Sequence, residues 1–245
     1  MANLRHRTID THALQHDTVC KSCWARRFSF CETLHNKGMQ AFFDAASYTK
    51  VGSGTVFVHD GEKSPFYFNI NRGMTRSFKI LPDGRRQILN FGMPGTLMGL
   101  SQKADFDFSI ESITDVSLCR FSKDKVDFYS NKHPELRKAI MDKLMYELAE
   151  SRMHILALGK MSAKERLAFF LIKQNAIGMK IYGQMNKIIL PMSRYDISDY
   201  LGVTTETISR TFTQFESEGL ITSLKASEIV IRDRRRLAAL AGGMT

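Results

Sequence analysis

The amino-acid sequence predicts an α+β protein with an N-terminal antiparallel β-barrel, one long helix and a C-terminal winged helix-turn-helix. Short β-branched and aromatic runs separated by turn residues fill residues 41–132. An apolar stripe at helical spacing follows over residues 133–160, and two short helical patterns joined by a glycine lie within residues 161–245. Residues 1–40 show no lasting period and contain three of the cysteines. Four segments are therefore predicted.

Four apolar runs with turn residues between them predict the strands of the barrel. Turn signals such as Asp60-Gly61 and Pro82-Asp83-Gly84 separate runs that are rich in β-branched and aromatic side chains. Short strands at this spacing are typical of an antiparallel barrel or sandwich. The runs cover residues 55–58, 66–70, 77–81 and 87–91.

A long helix is predicted to begin at Pro134, because a proline in the first turn loses no hydrogen bond. Its apolar positions recur in steps of four, then seven and three, which is closer to a coiled-coil seam than to a globular helix face. We therefore expect the helix to join two subunits into a homodimer, although packing against the barrel can account for part of the stripe. The stripe comprises Leu136, Ile140, Leu144, Leu148, Ile155 and Leu158.

Two short helices after residue 190 form the pattern of a helix-turn-helix. Ser193 and Asp196 have the spacing of a capping box, with Asp in place of the usual Glu. Gly202 permits the left-handed turn that ends the first helix, and Thr204 can cap the second. The second helix directs Ile208 and its apolar neighbours inward and leaves a polar face outside. Two such helices joined by a glycine turn predict a DNA-binding unit.

The outward face of the second helix carries side chains suited to reading bases. Arg210 can bond both acceptors of a guanine, Glu206 can accept from a cytosine amino group, and Ser209 is an adaptable third contact. Thr204 and Thr205, at the start of the same helix, are further candidate DNA contacts, because base contacts come from this end of a recognition helix. The alternative is that Glu206 and Arg210 only form a surface ion pair.

Further elements are predicted on either side of the helix-turn-helix. The capping box Ser162-Ala163-Lys164-Glu165 predicts a helix that runs to about Gln174. Residues 220–223 and 228–231 can pair as a β-hairpin wing around Lys225-Ala226-Ser227. The run Arg234-Arg235-Arg236 then begins a terminal helix, where it either contacts phosphate or forms a solvated face.

Composition indicates an anionic partner and a cytoplasmic protein. The 245 residues include 35 Lys and Arg against 25 Asp and Glu, a net charge of +10. Such a balance favours nucleic acid or an anionic surface. The sequence has no apolar run of about eighteen residues, and its N-terminus lacks the apolar core of a secretory signal. No membrane association is expected.

The four cysteines indicate ligation or redox chemistry. Cys20, Cys23 and Cys31 lie together, and Cys119 is far away in the sequence. Structural disulfides are rare in the cytoplasm, which makes a metal or redox role the better hypothesis. The open alternative for an isolated strand cysteine such as Cys119 is a small apolar core residue.

These elements in this order resemble the CRP/FNR family of bacterial transcription regulators. Glu206-Thr207-Ile208-Ser209-Arg210 is similar to the E-x-x-S-R signature of the FNR branch. The resemblance implies a cupin-like, cyclic-nucleotide-binding-like barrel, a dimerisation helix and a regulator without enzymatic activity. It also implies that Glu206, Ser209 and Arg210 read TTGAT-type half-sites of a palindrome and that the dimer contacts RNA polymerase. Whether it activates or represses stays open.

The cysteine spacing resembles that of FNR-type oxygen sensors. Cys20, Cys23 and Cys31 with the distant Cys119 look like the ligand set of a [4Fe–4S] cluster, and the wide gap before Cys31 is similar to the FnrN and FnrL type. Four thiolates suit such a cluster, and they also suit zinc. A zinc-binding or thiol-redox regulator of the same fold, or a constitutive DNA-binding member, are the alternatives.

Two departures from family patterns bear on sensing. Residues 92–101 lack the Gly-Glu and the following Arg-Ser or Arg-Thr pair with which cyclic-AMP binders hold the phosphate, so no cyclic nucleotide is expected. On the dimerisation helix, Ser151 takes the place of an aspartate that opposes association in the best-known FNR. The resemblance therefore implies a weaker brake on dimerisation through Ile140, Leu144, Leu148 and Ile155.

Overall fold

The computed structural model describes residues 10–12, 20, 23–32, 40–101, 104–183 and 185–243. Much of the predicted segment 1–40 lies outside these residues. The chain forms two compact units, Met1–Glu147 and Leu148–Thr245, and the boundary falls within the long helix. The finer division into four segments stays a prediction. Within the described ranges, no helix is long and apolar enough to cross a bilayer.

The first unit contains two antiparallel sheets. The strands are β1 (Asp10–His12), β2 (Ser47–Val51), β3 (Val56–Val58), β4 (Phe66–Arg72), β5 (Thr75–Ile80), β6 (Arg86–Gly92), β7 (Leu97–Met98), β8 (Ser109–Ser112) and β9 (Val116–Ser122). The five-stranded sheet has the order β1-β2-β9-β4-β7, and the four-stranded sheet has the order β3-β8-β5-β6. The four predicted runs correspond to β3, β4, β5 and β6.

The two faces of strand β9 contribute to different cores. Val116 and Leu118 pack between the sheets with Ile110 of β8. Because side chains alternate across a strand, Cys119 and Phe121 point to the opposite face of the sheet. This alternation places Cys119 beneath the helices and against Cys20, Phe30 and Cys31.

In the part of the chain that the structure describes, three α-helices surround that second core. They are α1 (Gln40–Asp44), α2 (Lys123–Lys132) and α3 (Pro134–Lys160), and a short 3-10 helix (Trp24–Phe28) precedes them. Leu136 is fully buried and packs with Phe42 and Phe121. The first turn of the predicted stripe therefore packs on its own barrel. Further along α3, Leu148 is 43% exposed and Ile155 is 68% exposed.

The second unit contains the winged helix-turn-helix. Its elements are α4 (Ala163–Tyr182), β10 (Lys187–Ile189), α5 (Arg194–Leu201), α6 (Thr205–Ser217), β11 (Ile221–Lys225), β12 (Glu228–Ile231) and α7 (Arg234–Leu240). The three strands pair in the order β10-β12-β11. Together with the barrel and the long helix, this unit confirms the predicted α+β fold.

Three details of the second unit differ from the prediction. Helix α4 continues past Gln174 to Tyr182, because Asn175 is buried in it and Gly183 provides the left-handed cap at φ 66°. The wing strand begins at Ile221 and reaches Lys225, which pairs with Glu228, so the turn shortens to two residues. Strand β10 was not predicted, because three residues are too few to show a period.

Candidate nucleic-acid interface and cysteine site

Helix α5 is fixed at both ends by the residues that the sequence singled out. The Ser193 hydroxyl accepts from the Asp196 backbone N–H at 3.0 Å, and the Asp196 carboxylate accepts from the Ser193 backbone N–H at 3.1 Å. Gly202 adopts φ 62° at the C-terminal end. The capping box and the glycine turn thus set where α5 begins and ends.

Helix α6 begins at the predicted cap and buries the predicted face. The Thr204 hydroxyl accepts from the backbone N–H of Thr207 at 3.2 Å, and Ile208 is fully buried. The Thr205 hydroxyl lies 3.0 Å from that of Ser198 and so joins α6 to α5. In the free protein Thr204 and Thr205 support the helices, and their contacts with DNA stay a prediction.

The exposed face of α6 presents the three candidate base readers together. Glu206 and Arg210 form an ion pair with side chains 69% and 79% exposed, and Ser209 donates to the Thr205 carbonyl at 2.9 Å. The surface ion pair predicted as the alternative is therefore present. A pair this exposed contributes only a few tenths of a kcal/mol. It can open at little cost when Arg210 meets a better partner.

Arg166 of α4 holds the helix-turn-helix against the last turns of α3. Its guanidinium donates to the carbonyls of Met161 at 2.9 Å, Leu158 at 2.7 Å and Leu201 at 2.8 Å. A Cβ on Gly202 would lie 3.2 Å from the Leu158 side chain. The sequence did not reveal this role, because these acceptors are backbone groups without a sequence signature.

The end of α3 makes two further contacts inside the second unit. The His154 and Tyr200 rings stack with centroids 4.1 Å apart and planes inclined by 11°. Glu150 forms an ion pair with Lys173 of α4. Burial lowers the pKa of His154 from 6.5 to about 4, and the positive charges of Lys173 and Arg166 add to the effect. His154 is therefore neutral at physiological pH.

The basic C-terminal run is exposed. Arg234, Arg235 and Arg236 begin α7, whose first turn is capped by the Asp233 carboxylate accepting from the Arg236 backbone N–H at 2.9 Å. The exposed guanidinium groups are accessible to phosphate.

The four cysteines lie in one neighbourhood of the first unit. Cys119 is 7% exposed and belongs to the core beneath the helices, against which Cys20 and Cys31 pack. Cys23 lies on the same side, with its sulfur 4.0 Å from the side-chain oxygen of Asn71. The Asn71 amide in turn donates to the Cys119 sulfur at 3.2 Å. The fold thus brings the three N-terminal cysteines to the distant one.

The surroundings of Cys20, Cys31 and Cys119 raise the pKa values of these three thiols. Burial raises the pKa of Cys119 to about 12; the hydrogen bond from Asn71 opposes the rise, and Cys20 and Cys23 add to it. Burial and the neighbouring Cys23 raise the pKa of Cys20 to about 11. Burial also raises the pKa of Cys31, and the neighbouring Cys119, Cys20 and Cys23 add to the rise. Ligation at this site therefore has to release protons.

The donor set consists of four thiols. They are all described and free of disulfides. Among the described residues, no three or more His, Cys, Asp or Glu side chains are placed so that they could hold a metal ion. Four thiolates are ligands that both an iron–sulfur cluster and zinc use, so the donor chemistry suits either group.

The cysteine segment, residues 23–32 with Cys20, also contacts helix α3. Lys143 donates from its ammonium group to the Phe28 carbonyl at 2.7 Å. Gly95, at φ 89°, lies so close that a Cβ there would come within 2.6 Å of the same carbonyl oxygen. The side chain of Phe30 is buried against Phe121 of β9. The segment is thus packed between the barrel and α3 within the first unit.

Comparison with known proteins places the chain in a family. Residues 48–133 match the cyclic nucleotide-binding domain, and residues 165–240 match the Crp-like helix-turn-helix domain. The nitrogen fixation regulation protein FixK of Bradyrhizobium diazoefficiens is 36% identical over 91% of this chain and 93% of its own. The chain belongs to the CRP/FNR family. It is a DNA-binding transcription regulator and not an enzyme.

Other CRP/FNR relatives match over nearly the whole chain. The transcriptional activator protein anr of Pseudomonas aeruginosa is 33% identical over 96% of this chain and 97% of its own. The solved structure of FixK2 from Bradyrhizobium japonicum superposes with a TM-score of 0.75 at 31% identity, covering 80% of this chain and 96% of that one. The predicted family and fold are confirmed. The domain match says nothing about a bound nucleotide, whose expected absence stays a prediction.

Proposed function

We propose that this CRP/FNR protein is an oxygen-responsive cytoplasmic transcription activator whose sensor is a [4Fe–4S] cluster on Cys20, Cys23, Cys31 and Cys119. With the cluster intact, a homodimer binds a TTGAT-type palindrome and contacts RNA polymerase. The observation that carries the proposal is the convergence of Cys119 with cysteines from another part of the chain, the nearest of them 88 residues earlier in the sequence. The name of the anr relative supports the assignment as an activator.

When bound, the cluster supplies an oxygen-labile crosslink between the cysteine segment and strand β9. The chain itself supplies the link from that segment to the dimer helix. The Phe28 carbonyl accepts a charge-assisted hydrogen bond from Lys143, and Phe30 is buried against Phe121. A segment that leaves the barrel loses both contacts. The arrangement of α3 then depends on whether the segment is fastened.

The dimer seam is proposed along α3, at Ile140, Leu144, Leu148, Ser151 and Ile155. Leu148 and Ile155 are apolar and exposed in the single chain, whereas an apolar side chain is stabilised by about 1.5–3 kcal/mol when it is fully buried. Glu150, which directly precedes Ser151 in the sequence, forms an ion pair with Lys173 of its own chain. This neutralisation supports a weak electrostatic brake, so air is expected to reduce dimerisation without abolishing it.

The proposal is tested by purifying the protein anaerobically and measuring its visible absorption together with iron, acid-labile sulfide and zinc. We expect a coloured protein with about four iron and about four sulfide per chain. Stoichiometric zinc without sulfide would replace the proposal by a zinc regulator. A colourless protein with disulfides would indicate a thiol switch, and one that binds DNA equally with and without air would be a constitutive regulator.

A further inference from the structure

Asn71 lies between two cysteines that come from distant parts of the chain. Its amide nitrogen donates to the Cys119 sulfur at 3.2 Å, and its oxygen lies 4.0 Å from the Cys23 sulfur. The residue is 6% exposed. The pairing of β4 with β9 shifts register between Ile70 and Arg72, so Asn71 is the residue left out of the ladder. This irregularity accompanies a side chain directed at the cysteine site.

A second buried amide donates to the other end of the Asn71 side chain. The Asn69 nitrogen donates to the Asn71 oxygen at 3.4 Å, and Asn69 is 2% exposed. Because Asn71 accepts at its oxygen, its N–H group is directed to Cys119. The two amides form a chain of donors that ends at the sulfur.

The buried N–H of Asn71 has the Cys119 sulfur as its acceptor, and this pairing favours a state in which that sulfur is a metal ligand. A buried amide donor needs a good acceptor, because an unsatisfied one costs free energy. A neutral thiol is a weak acceptor, whereas a thiolate is a charged and strong one. The hydrogen bond from Asn71 therefore becomes most favourable when the Cys119 sulfur carries the negative charge of a metal ligand.

We propose that Asn71 is a positioning residue of the sensor, which orients the Cys119 sulfur for ligation and sets how readily the bound group is oxidised. This inference rests on the proposed function. Hydrogen bonds to ligating sulfurs raise the reduction potential of an iron–sulfur site, and losing one lowers it. Mutation of a residue that hydrogen-bonds to a metal ligand typically lowers metal affinity or activity by roughly 10–100-fold. Asn71 acts through Cys119 and not on oxygen itself.

The test compares three substitutions. Asn71→Leu removes the donor at similar volume, Asn71→Asp replaces it by an acceptor, and Asn71→Ser retains a hydroxyl donor. After anaerobic reconstitution, iron per folded chain, the reduction potential and the rate of absorbance loss in air are measured. We expect Asn71→Leu and Asn71→Asp to have lower potentials and to decay about 10-fold faster than wild type. Asn71→Ser is expected to lie between them and wild type.

Ile88→Val is the matched control for a merely structural role, because Ile88 is fully buried in the other sheet. It is expected to lower the melting temperature and leave potential and decay rate unchanged. If wild type carries a cluster and all three Asn71 variants show its potential and decay rate, Asn71 is only structural, and this inference alone is overturned. If wild type carries no cluster under these conditions, the proposed function itself fails. If neither Asn71→Leu nor Asn71→Asp folds while Asn71→Ser folds with wild-type potential, the inference is likewise overturned.

Discussion

Arg210 is the residue on which base discrimination is expected to depend most. Its side chain is exposed and forms a weak surface ion pair with Glu206. Arg210→Ala should cost about 1–3 kcal/mol on a TTGAT-type palindrome and relax the preference at the guanine it contacts. Titrations against matched and mismatched sites measure both effects. Arg235→Ala on α7 is the control, for which any loss should be the same on every sequence. An equal loss for Arg210→Ala would reduce that residue to a phosphate contact.

His154 is expected to make the second unit sensitive to acid. Its pKa is about 4 in the folded protein and about 6.5 when unfolded, so the unfolded chain binds more protons between these values. The stability that neutral His154 contributes is fully present above pH 6.5 and is lost as pH falls towards 4. Allowing for its partial exposure, we expect about 1–2 kcal/mol.

The matched variant is His154→Phe, which can stack on Tyr200 but cannot titrate. Chemical unfolding at several pH values should show a flatter dependence between pH 6.5 and pH 4 in the variant than in wild type. Parallel curves for the two proteins would mean that other groups cause the acid sensitivity.

Single residues also show where the sequence was sufficient. The helix caps of Ser193 and Thr204 and the turn at Gly202 involve partners only a few residues away in the sequence. They could therefore be predicted from local chemistry. Cys119 could be linked to the other cysteines only through a family resemblance. Asn71 and Arg166 had no signal at all, because their partners are a sulfur 48 residues away and backbone carbonyls brought near by folding.

At the scale of elements, the exposed part of α3 should form the subunit contact. Leu148→Glu places a charge on an apolar seam in which each residue faces its symmetric copy or a neighbour of it. Sedimentation of the anaerobic protein should then show a monomer. Ile80→Glu is the control. Ile80 is also apolar and exposed, but it lies on β5, so this variant should leave the assembly unchanged. A Leu148→Glu protein that remains dimeric would assign the subunit contact to another surface.

The contact of Arg166 with the ends of α3 and α5 should be needed for a stable second unit. Arg166→Gln removes the charged guanidinium that donates to the carbonyls of Met161, Leu201 and Leu158. We expect the free energy of unfolding to fall by about 2–4 kcal/mol. Arg166→Lys keeps the charge but not the planar fork and should recover only part of it. Thermal and chemical unfolding measure both. Wild-type stability in Arg166→Gln would show that the three carbonyls are satisfied by water.

Elements differ in how far the sequence could predict them. Helices α5 and α6 have caps and apolar periods, and the longer strands of the barrel alternate between turn signals. Strands β1 and β10 have three residues each, and only their neighbours β2 and β12 determine that they are strands. The boundary of the two units inside α3 also has no local signal, because Glu150 and His154 join the second unit through contacts with α4 and α5.

At the scale of the whole molecule, the proposal connects a sensor in one unit to a reader in the other through a single continuous helix. Lys143, near the middle of α3, donates a hydrogen bond to the cysteine segment. Leu158, near the end of α3, accepts one from Arg166. A change at the cysteines is expected to act on the recognition helix by shifting the arrangement or association of α3. Cluster binding and DNA binding should therefore be lost together when the cysteine site is disrupted.

The most direct measurement is the anaerobic affinity for a TTGAT-type palindrome, determined with the iron content for wild type, Cys119→Ser and Ser117→Ala. Ser117 is two residues away on the same face of β9 and is buried, so its variant controls for a change in the strand. Cys119→Ser should lose iron and DNA affinity together, although residue 119 lies in the barrel, and Ser117→Ala should keep both. A folded Cys119→Ser protein with a full iron content and wild-type, oxygen-sensitive DNA binding would contradict the account.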